Sequence, residues 1–177
     1  MITRIALICL FVLTSIANAQ VEPKMGQIWH KNPEGPFLTI EGEAGTWNTG
    51  VVPWDYYGMS LVWDGTQYCL YFTGMDEDGV RAIGMYTSND PYGGWVEYEG
   101  NPILTAADVA WTSLEVCSPN VLLDGDTLKM WFVGLNDDGS RSLGYATSVD
   151  GINWTALPTS VLNPGPENAW DSAVVGW

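Results

Sequence analysis

Short apolar runs separated by Asp-Gly, Gly and Pro turns dominate the chain from about residue 45 onwards. Segments such as QYCLYFTG and LKMWFVG are rich in aromatic and branched residues and are the length of strands. Each ends at an acidic glycine turn, DEDG or NDDG, which is typical of hairpins. No stretch shows a helical period, because Pro and Gly interrupt every window long enough to be tested. The pattern therefore predicts an all-β protein.

The strand pattern occurs twice at a constant spacing. Residues 71–90, YFTGMDEDGVRAIGMYTSND, align without a gap on residues 131–150, WFVGLNDDGSRSLGYATSVD, and nine of the twenty positions are identical. Average composition would give roughly one or two identities by chance. Each unit contains four predicted strands, and the third holds an internal glycine (Gly84 or Gly144) where the backbone packs closely or bulges. Repeated units of four antiparallel strands predict the blades of a β-propeller.

The repeat also predicts the domain organisation. Blades are expected at about 45–104 and 105–164, and the start of a third at 165–177, because TWNTGVV, AWTSLEV and AWDSAVV echo one another. Residues 20–44 form an N-terminal segment leading into the propeller. Propellers have about four to eight blades, so two blades plus the start of a third predict a fragment of a longer protein. The alternative is that several chains close the ring together.

The first residues predict export. Arg4 supplies a positive charge, Ile5 to Ile16 is almost wholly apolar, and Ala17, Asn18 and Ala19 resemble a cleavage site. Residues 1–19 are therefore interpreted as a signal peptide cleaved near Ala19, and the mature protein is expected outside the cell or in the periplasm. The apolar run is too short to span a membrane, so no membrane anchor is expected.

Charge and cysteine content narrow the possible partners. Six Lys and Arg stand against 21 Asp and Glu, a net charge of −15, which argues against nucleic acids and anionic membranes as partners. Cys69 and Cys117 could form a disulfide outside the cell, but two unpaired buried thiols are the favoured interpretation. The acidic turns lack the spacing and closing Glu of an EF-hand, so no metal or other cofactor is predicted.

Aromatic residues suggest a possible ligand. Ten Trp and eight Tyr in 177 residues suit a β-rich core, and they also suit sugar binding, in which flat apolar sugar faces stack on indole rings. Four tryptophans recur beside the predicted inner strands and are candidate sugar platforms, with packing between blades as the alternative for at least half of them: Trp47, Trp54, Trp111 and Trp170.

The motifs resemble a known superfamily. Ser118-Pro119-Asn120-Val121, the Asp124-Gly125 turn, Gly144-Tyr145-Ala146-Thr147-Ser148 and Asp150-Gly151-Ile152-Asn153-Trp154 look like the blades of five-bladed β-propeller glycosidases. That superfamily includes glycoside hydrolase families 32, 43, 62, 68 and 130, among them arabinanases, levansucrases and invertases. The resemblance covers almost all of the chain after residue 19. It implies a propeller of the five-bladed type, and it points to no single family because these motifs build blades.

The resemblance also implies where chemistry would lie. Glycoside hydrolysis needs two carboxyl groups flanking the scissile bond, and in the resembling enzymes each comes from the start of a different inner strand. Asp55, Glu115 and Asp171 mark such starts here, and Glu115 matches Asp55 by the repeat offset. Asp55 lies about where the superfamily has its first-blade aspartate, although Tyr56 replaces the usual proline. The acid/base glutamate of the superfamily normally comes from a later blade.

The sequence thus predicts a secreted glycoside hydrolase-like protein acting on an extracellular oligo- or polysaccharide, with no oligomeric state assigned. A non-catalytic propeller that binds carbohydrate or a protein through its aromatic channel face is the alternative. A degenerate remnant without a function of its own is a third possibility.

Overall fold

The computed structural model describes residues 45–49 and 58–172. Within these ranges the chain is all-β, with eight strands and one short 3₁₀ helix at Ala106–Asp108. No helix in the described ranges is long and apolar enough to cross a membrane. The predicted signal peptide, the segment 20–44, and the site residues Trp54 and Asp55 lie outside the described residues. The domain bounds therefore stay predictions.

The first sheet has four antiparallel strands in the order β1-β2-β3-β4. These strands are β1 (Ser60–Trp63), β2 (Tyr68–Met75), β3 (Arg81–Ser88) and β4 (Val96–Glu97). The second sheet repeats the order as β5-β6-β7-β8. Its strands are β5 (Glu115–Asp124), β6 (Thr127–Leu135), β7 (Arg141–Ser148) and β8 (Thr155–Ala156). The prediction of two four-stranded antiparallel units is confirmed.

The two inner strands differ in length. Strand β1 has 4 residues, whereas β5 has 10 and begins at Glu115, the residue that the sequence marked as an inner-strand start. A β-bulge between Cys117 and Asn120 makes this extension possible, and Ser118 adopts a φ of 56° within it. Such a bulge bends the strand locally. As a result, β5 pairs with β6 along the whole edge of the sheet, from Asp124 back to Glu115.

The hairpin turns follow from the acidic glycine motifs. Gly79 and Gly139 have φ values of 84° and 81°, a left-handed conformation that glycine adopts without steric cost. The carboxylate of Asp76 accepts hydrogen bonds from the N–H groups of Asp78 and Val80, at 3.0 and 2.9 Å. The acid therefore closes its own turn, as Asp commonly does.

The main core lies between the two sheets. Tyr71, Ile83 and Met85 of the first sheet pack against Val116 and Met130 of the second. A smaller cluster of Leu70, Phe72 and Tyr86 covers the other face of the first sheet, beneath Trp47 and Trp95.

Cys69 and Cys117, the two cysteines among the described residues, are buried and free, so the prediction of two unpaired buried thiols is confirmed. Burial raises the pKa of Cys69 and that of Cys117 to about 12. Because the thiolate is the reactive species, both side chains behave as small apolar groups at neutral pH.

Candidate functional site

The most buried of the described candidate acids is Glu115, the first residue of β5. Its side chain is about 5% exposed. Its partner in the ladder is Leu135, which in turn pairs with Arg141 at the start of β7. These three residues thus form one row across the second sheet, at the end where the β6–β7 turn lies.

Two arginines from different sheets hold the Glu115 carboxylate. Arg81 Nη1 donates to Oε2 at 2.5 Å, and Arg141 Nη2 donates to Oε1 at 3.3 Å. Arg81 is the first residue of β3 and Arg141 the first residue of β7, so the two cations occupy the same position of the repeat. We call Arg81, Glu115 and Arg141 the charge cluster. It joins the first sheet to the second through both carboxylate oxygens.

The repeat and the bulge together explain how the charge cluster forms. The acidic turns place both arginines at the same end of their sheets, immediately after the hairpin. The bulge in β5 brings the Ser118 N–H within 2.9 Å of Thr73 Oγ1 on the first sheet. This hydrogen bond anchors β5 against the first sheet close to Glu115.

The contacts of the Glu115 carboxylate favour a role in charge pairing over a role in proton transfer. A buried carboxylate is tolerated when charged donors satisfy it, and guanidinium groups do so at both oxygens here. Hydrolysis of a glycosidic bond requires a second carboxyl group opposite the first. The described contacts of Glu115 include no other carboxylate, and its partner by the repeat, Asp55, lies outside the described residues. The catalytic assignment of both acids stays a prediction.

Asp171 lies apart from the charge cluster in its described contacts. Its backbone carbonyl accepts a hydrogen bond from the Gly165 N–H at 3.1 Å. Its side chain also lies close against Gly165, since a Cβ built there would be 2.2 Å from Asp171 Oδ1. These contacts close a local turn, and the catalytic role of Asp171 stays a prediction.

Two of the predicted sugar-binding tryptophans lie on glycine pairs. The Trp47 ring covers Gly74 and Gly84, where an added Cβ would come within 2.2 Å of the indole. Trp111 lies over Gly134 and Gly144 in the same way and stacks on Phe132, with ring centroids 5.9 Å apart. The internal glycines therefore provide slots for indole rings. This packing accounts for both side chains, and sugar binding by them stays a prediction.

Trp170 differs from the other described candidate tryptophans. Its side chain is 97% exposed, so the ring is open to a ligand without any rearrangement. It follows Ala169, whose N–H donates to the Pro166 carbonyl at 2.9 Å in a local turn. Sugar binding by Trp170 stays a prediction.

The opposite end of the two sheets contains an acidic cavity of about 500 Å³. Asp64, Asp126 and Asp150 line it together with Thr66 and other turn residues. Asp64 and Asp150 already accept backbone hydrogen bonds within their own turns. In the described part of the chain, no group of three or more His, Cys, Asp or Glu side chains is arranged to hold a metal ion. Asp64 and Asp150 therefore stabilise the turns in which they lie.

Sequence reasoning identified Glu115 but missed its two arginine partners as site residues. Arg81 and Arg141 were visible as identical positions of the repeat. A stronger signal was their rarity, since the whole chain has only six Lys and Arg. In so acidic a chain, two cations at matched positions indicate a buried carboxylate between them.

Comparison with known proteins supports the fold. No protein-family model matches the chain. A glycoside hydrolase of known structure has a TM-score of 0.56 at 19% identity, over 80% of this chain and 42% of its own. The GH43_1 enzyme from Xanthomonas citri, complexed with xylose, has a TM-score of 0.53 at 15% identity, over 59% of this chain and 32% of its own.

A third solved structure shows the same likeness. It is a GH43 beta-xylosidase/alpha-arabinofuranosidase from a compost microbial metagenome in complex with xylotriose, with a TM-score of 0.52 at 14% identity, over 59% of this chain and 35% of its own. This chain thus spans between 32% and 42% of the length of the three neighbours. At such identities the likeness concerns the fold alone.

Proposed function

We propose that this chain is part of a secreted glycoside hydrolase of the five-bladed propeller type. Its substrate would be an extracellular oligo- or polysaccharide. The observation that carries the proposal is the fold shared with glycosidases that bind xylose and xylotriose. Because the chain spans about a third of those proteins, the remaining blades and the complete active site would belong to a longer protein.

Within this proposal the two repeat-related acids have different roles. Asp55 is the candidate base or nucleophile at the first inner strand, and its proton-donating partner would come from a further blade. Glu115 contacts Arg81 and Arg141 through both oxygens, which favours a positioning role at the start of the second inner strand. Asp171 is the third candidate acid, at the start of the next repeat.

The test is sugar release by the longer protein from a panel of arabinans, xylans, fructans and mannosides. We expect one class of substrate to be hydrolysed. Asp55→Asn should lower kcat by about 10²–10⁴-fold, the usual contribution of acid–base catalysis, while substrate binding is retained. Asp124→Asn is the matched control, because Asp124 is an exposed residue at a hairpin turn.

Two results would overturn the proposal at different levels. Unchanged activity of Asp55→Asn would remove that residue from the mechanism but leave the enzyme in place. Failure of the folded wild-type protein to release sugar from any substrate would contradict the proposal that it is a glycoside hydrolase.

A carbohydrate-binding protein without catalysis is the second candidate, favoured by the exposed ring of Trp170. Calorimetric titration with oligosaccharides would then show binding without hydrolysis. Trp170→Ala should weaken that binding, because it removes the apolar surface on which the sugar ring stacks, whereas Tyr92→Ala at another exposed aromatic should not. Equal affinity in Trp170→Ala would exclude this ring as the platform.

Secretion is the remaining part of the proposal. Expression of the chain with its first 19 residues should deliver a product that begins near Gln20 outside the cytoplasm. Fractionation and N-terminal mass determination would test this outcome. Retention of an uncleaved Met1 in the cytoplasmic fraction would contradict it.

A further inference from the structure

The loop between β7 and β8 contains a sequence motif that the proposed hydrolysis does not use. Of the ten asparagines in the chain, only Asn153 is followed two positions later by Ser or Thr, in the triplet Asn153-Trp154-Thr155. An Asn-x-Ser/Thr triplet whose middle residue is not proline is the acceptor sequence for N-linked glycans on exported proteins. Whether the triplet can serve as an acceptor depends on which way its side chains face.

The three side chains of the triplet alternate between solvent and core. Asn153 and Thr155 are exposed, whereas Trp154 is half-buried. The Trp154 ring meets Tyr71 of the first sheet edge-on, with ring centroids 5.7 Å apart, and its Nε1 donates to the Gly151 carbonyl at 3.0 Å. These contacts turn the middle residue towards the interface between the sheets. The amide and the hydroxyl that an acceptor site needs therefore both belong to exposed residues.

The turn before the triplet orients the amide of Asn153. Its Nδ2 donates to Asp150 Oδ2 at 2.7 Å, and its backbone N–H donates to Asp150 Oδ1 at 2.8 Å. A side-chain amide nitrogen carries two hydrogens, and in the described part of the chain this nitrogen has one acceptor, Asp150. Replacement of one hydrogen by a sugar therefore leaves the other for the bond to Asp150. The turn can keep its geometry in the modified protein.

We propose that Asn153 is the attachment site of an N-linked glycan. The donor is an oligosaccharide carried on a polyprenyl diphosphate, and the Asn153 nitrogen forms a C–N bond to the anomeric carbon of its first sugar. The C–O bond from that carbon to the diphosphate breaks, polyprenyl diphosphate leaves with the electron pair, and one amide proton passes to a base of the transferase. The transfer takes place in a secretory compartment, so the modification rests on the proposed export of the chain.

The position of Asn153 in the second sheet separates it from the charge cluster. The residue directly precedes β8, which in the described part of the chain is the last strand of its sheet and pairs with β7 alone. Strand β5 is three strands away, which is about 14 Å at the usual spacing of about 4.8 Å. Glu115 also lies at the other end of the sheet, beside the β6–β7 turn. We therefore expect a glycan on Asn153 to leave sugar hydrolysis by the longer protein unchanged.

The first sheet provides a matched control for the acceptor. The loop after β3 also leads to a tryptophan, Trp95, but Gly94 precedes this residue and Val96 follows it, so the loop has no acceptor triplet. It does contain an exposed asparagine, Asn89, which is followed by Asp-Pro. Modification of any exposed asparagine would include Asn89, whereas recognition of the triplet selects Asn153 alone.

The experiment is secretion of residues 20–177 from a eukaryotic host behind a leader peptide of that host. The exported protein is analysed by intact mass, and by peptide mass after an amidase has removed N-linked glycans in heavy-oxygen water. We expect one glycan per chain and a labelled aspartate at position 153. Asn153→Gln and Thr155→Val should each abolish the modification, since one removes the acceptor amide and the other the hydroxyl. Thr155→Ser and the control Asn89→Gln should both retain it.

Two results would overturn the assignment of Asn153. The first is an exported, folded wild-type protein without a glycan, which would leave Asn153 as a turn residue. The second is a glycan that persists in Asn153→Gln or in Thr155→Val. Circular dichroism of each variant establishes that it is folded. Because the host leader replaces residues 1–19, failure of the chain's own signal peptide would contradict the proposed secretion without changing this result, and sugar release is measured separately from both.

Discussion

The first and second sheets have the same strand order and the same repeat, yet their matched aromatic residues lie in different surroundings. Tyr71 is completely buried, and its hydroxyl donates to the Gly151 carbonyl at 3.3 Å. Trp131, sixty residues later, is half-buried and packs edge-on against Tyr145 with centroids 5.2 Å apart. The difference arises because the second sheet covers Tyr71, and no described sheet covers Trp131. Strand formation is therefore a property of the repeat, whereas burial is a property of the neighbouring sheet.

The largest difference in stability is expected when each of the two matched aromatic residues, Tyr71 and Trp131, is replaced by alanine. Tyr71→Ala should lower the free energy of unfolding by about 3–5 kcal/mol, the usual cost of removing a buried aromatic ring. Trp131→Ala should lower the free energy of unfolding clearly less, because part of the Trp131 ring is already in water. Urea unfolding followed by fluorescence measures both. Equal losses would show that the Trp131 side of the second sheet is covered in solution.

The charge cluster tests how strongly the two sheets are joined. Glu115→Gln should lower the free energy of unfolding by about 3 kcal/mol, since two partly buried guanidinium groups lose their carboxylate. The matched control is Asp124→Asn, which removes the exposed ion pair with Lys129 and should have no measurable effect. Denaturant unfolding measures the free energy of unfolding of both variants and of the wild type. A wild-type midpoint for Glu115→Gln would mean that the cluster contributes nothing to sheet packing.

The glycine slots should behave alike in both sheets. Gly84→Ala places a methyl 2.2 Å from the Trp47 ring, and Gly144→Ala places one 2.4 Å from the Phe132 ring. Overpacking of this kind costs about 1–3 kcal/mol, and we expect the two losses to be similar in thermal unfolding. Gly93→Ala is the control, because a Cβ there meets no atom within 4 Å. A tolerated alanine in one sheet alone would show that the aromatic ring facing that glycine is free to move.

The smallest expected effect concerns the turns after the third strands. The side chain of Asn153 and the N–H groups of Asn153 and Ile152 hold the pKa of Asp150 well below its ordinary value. A carboxyl with a depressed pKa in the folded state stabilises the protein above its unfolded pKa of about 3.9, and this contribution is lost as the pH falls further.

Asp150→Asn should therefore lower the Tm at pH 7 and reduce the loss of Tm on acidification. Asp90→Asn is the matched control in the first sheet, since the Asp90 carboxylate has one described hydrogen bond, from the Tyr92 N–H at 2.9 Å. Thermal scans between neutral and acidic pH compare the two. If both variants follow the wild-type acid profile, the Asp150 turn adds no pH-dependent stability.

Much of the local structure could be predicted from the sequence. The acidic glycine turns determine where each hairpin reverses. Their hydrogen bonds join residues of the same turn, such as Asp76 with Asp78 and Val80. The segments between them are apolar at strand length, which is sufficient to identify β2, β3, β6 and β7. The bulge within β5 was not predicted, since Ser118 with a φ of 56° has no sequence signal that a strand pattern detects.

The candidate site was only partly predictable. The repeat marked Glu115 and also displayed Arg81 and Arg141 at one shared position, but it did not bring them together. Arg81 and Glu115, 34 positions apart, meet only when the two sheets pack face to face. Arg141, 26 positions from Glu115, reaches it across β6 within the second sheet. Similarly, the tryptophans beside the inner strands suggested a sugar platform, whereas the structure places Trp47 and Trp111 over glycine pairs.

The sequence by itself thus determined the strands, their turns and the twofold repeat, because these depend on hydrogen bonds and side-chain patterns over a few residues. Only the tertiary structure decided which face of each sheet is buried and which charges meet. Packing two sheets selects one face of each, and identical repeat positions then become core in one sheet and surface in the other. Tyr71 and Trp131 are one position of the repeat with two outcomes, and the neighbouring sheet makes the difference.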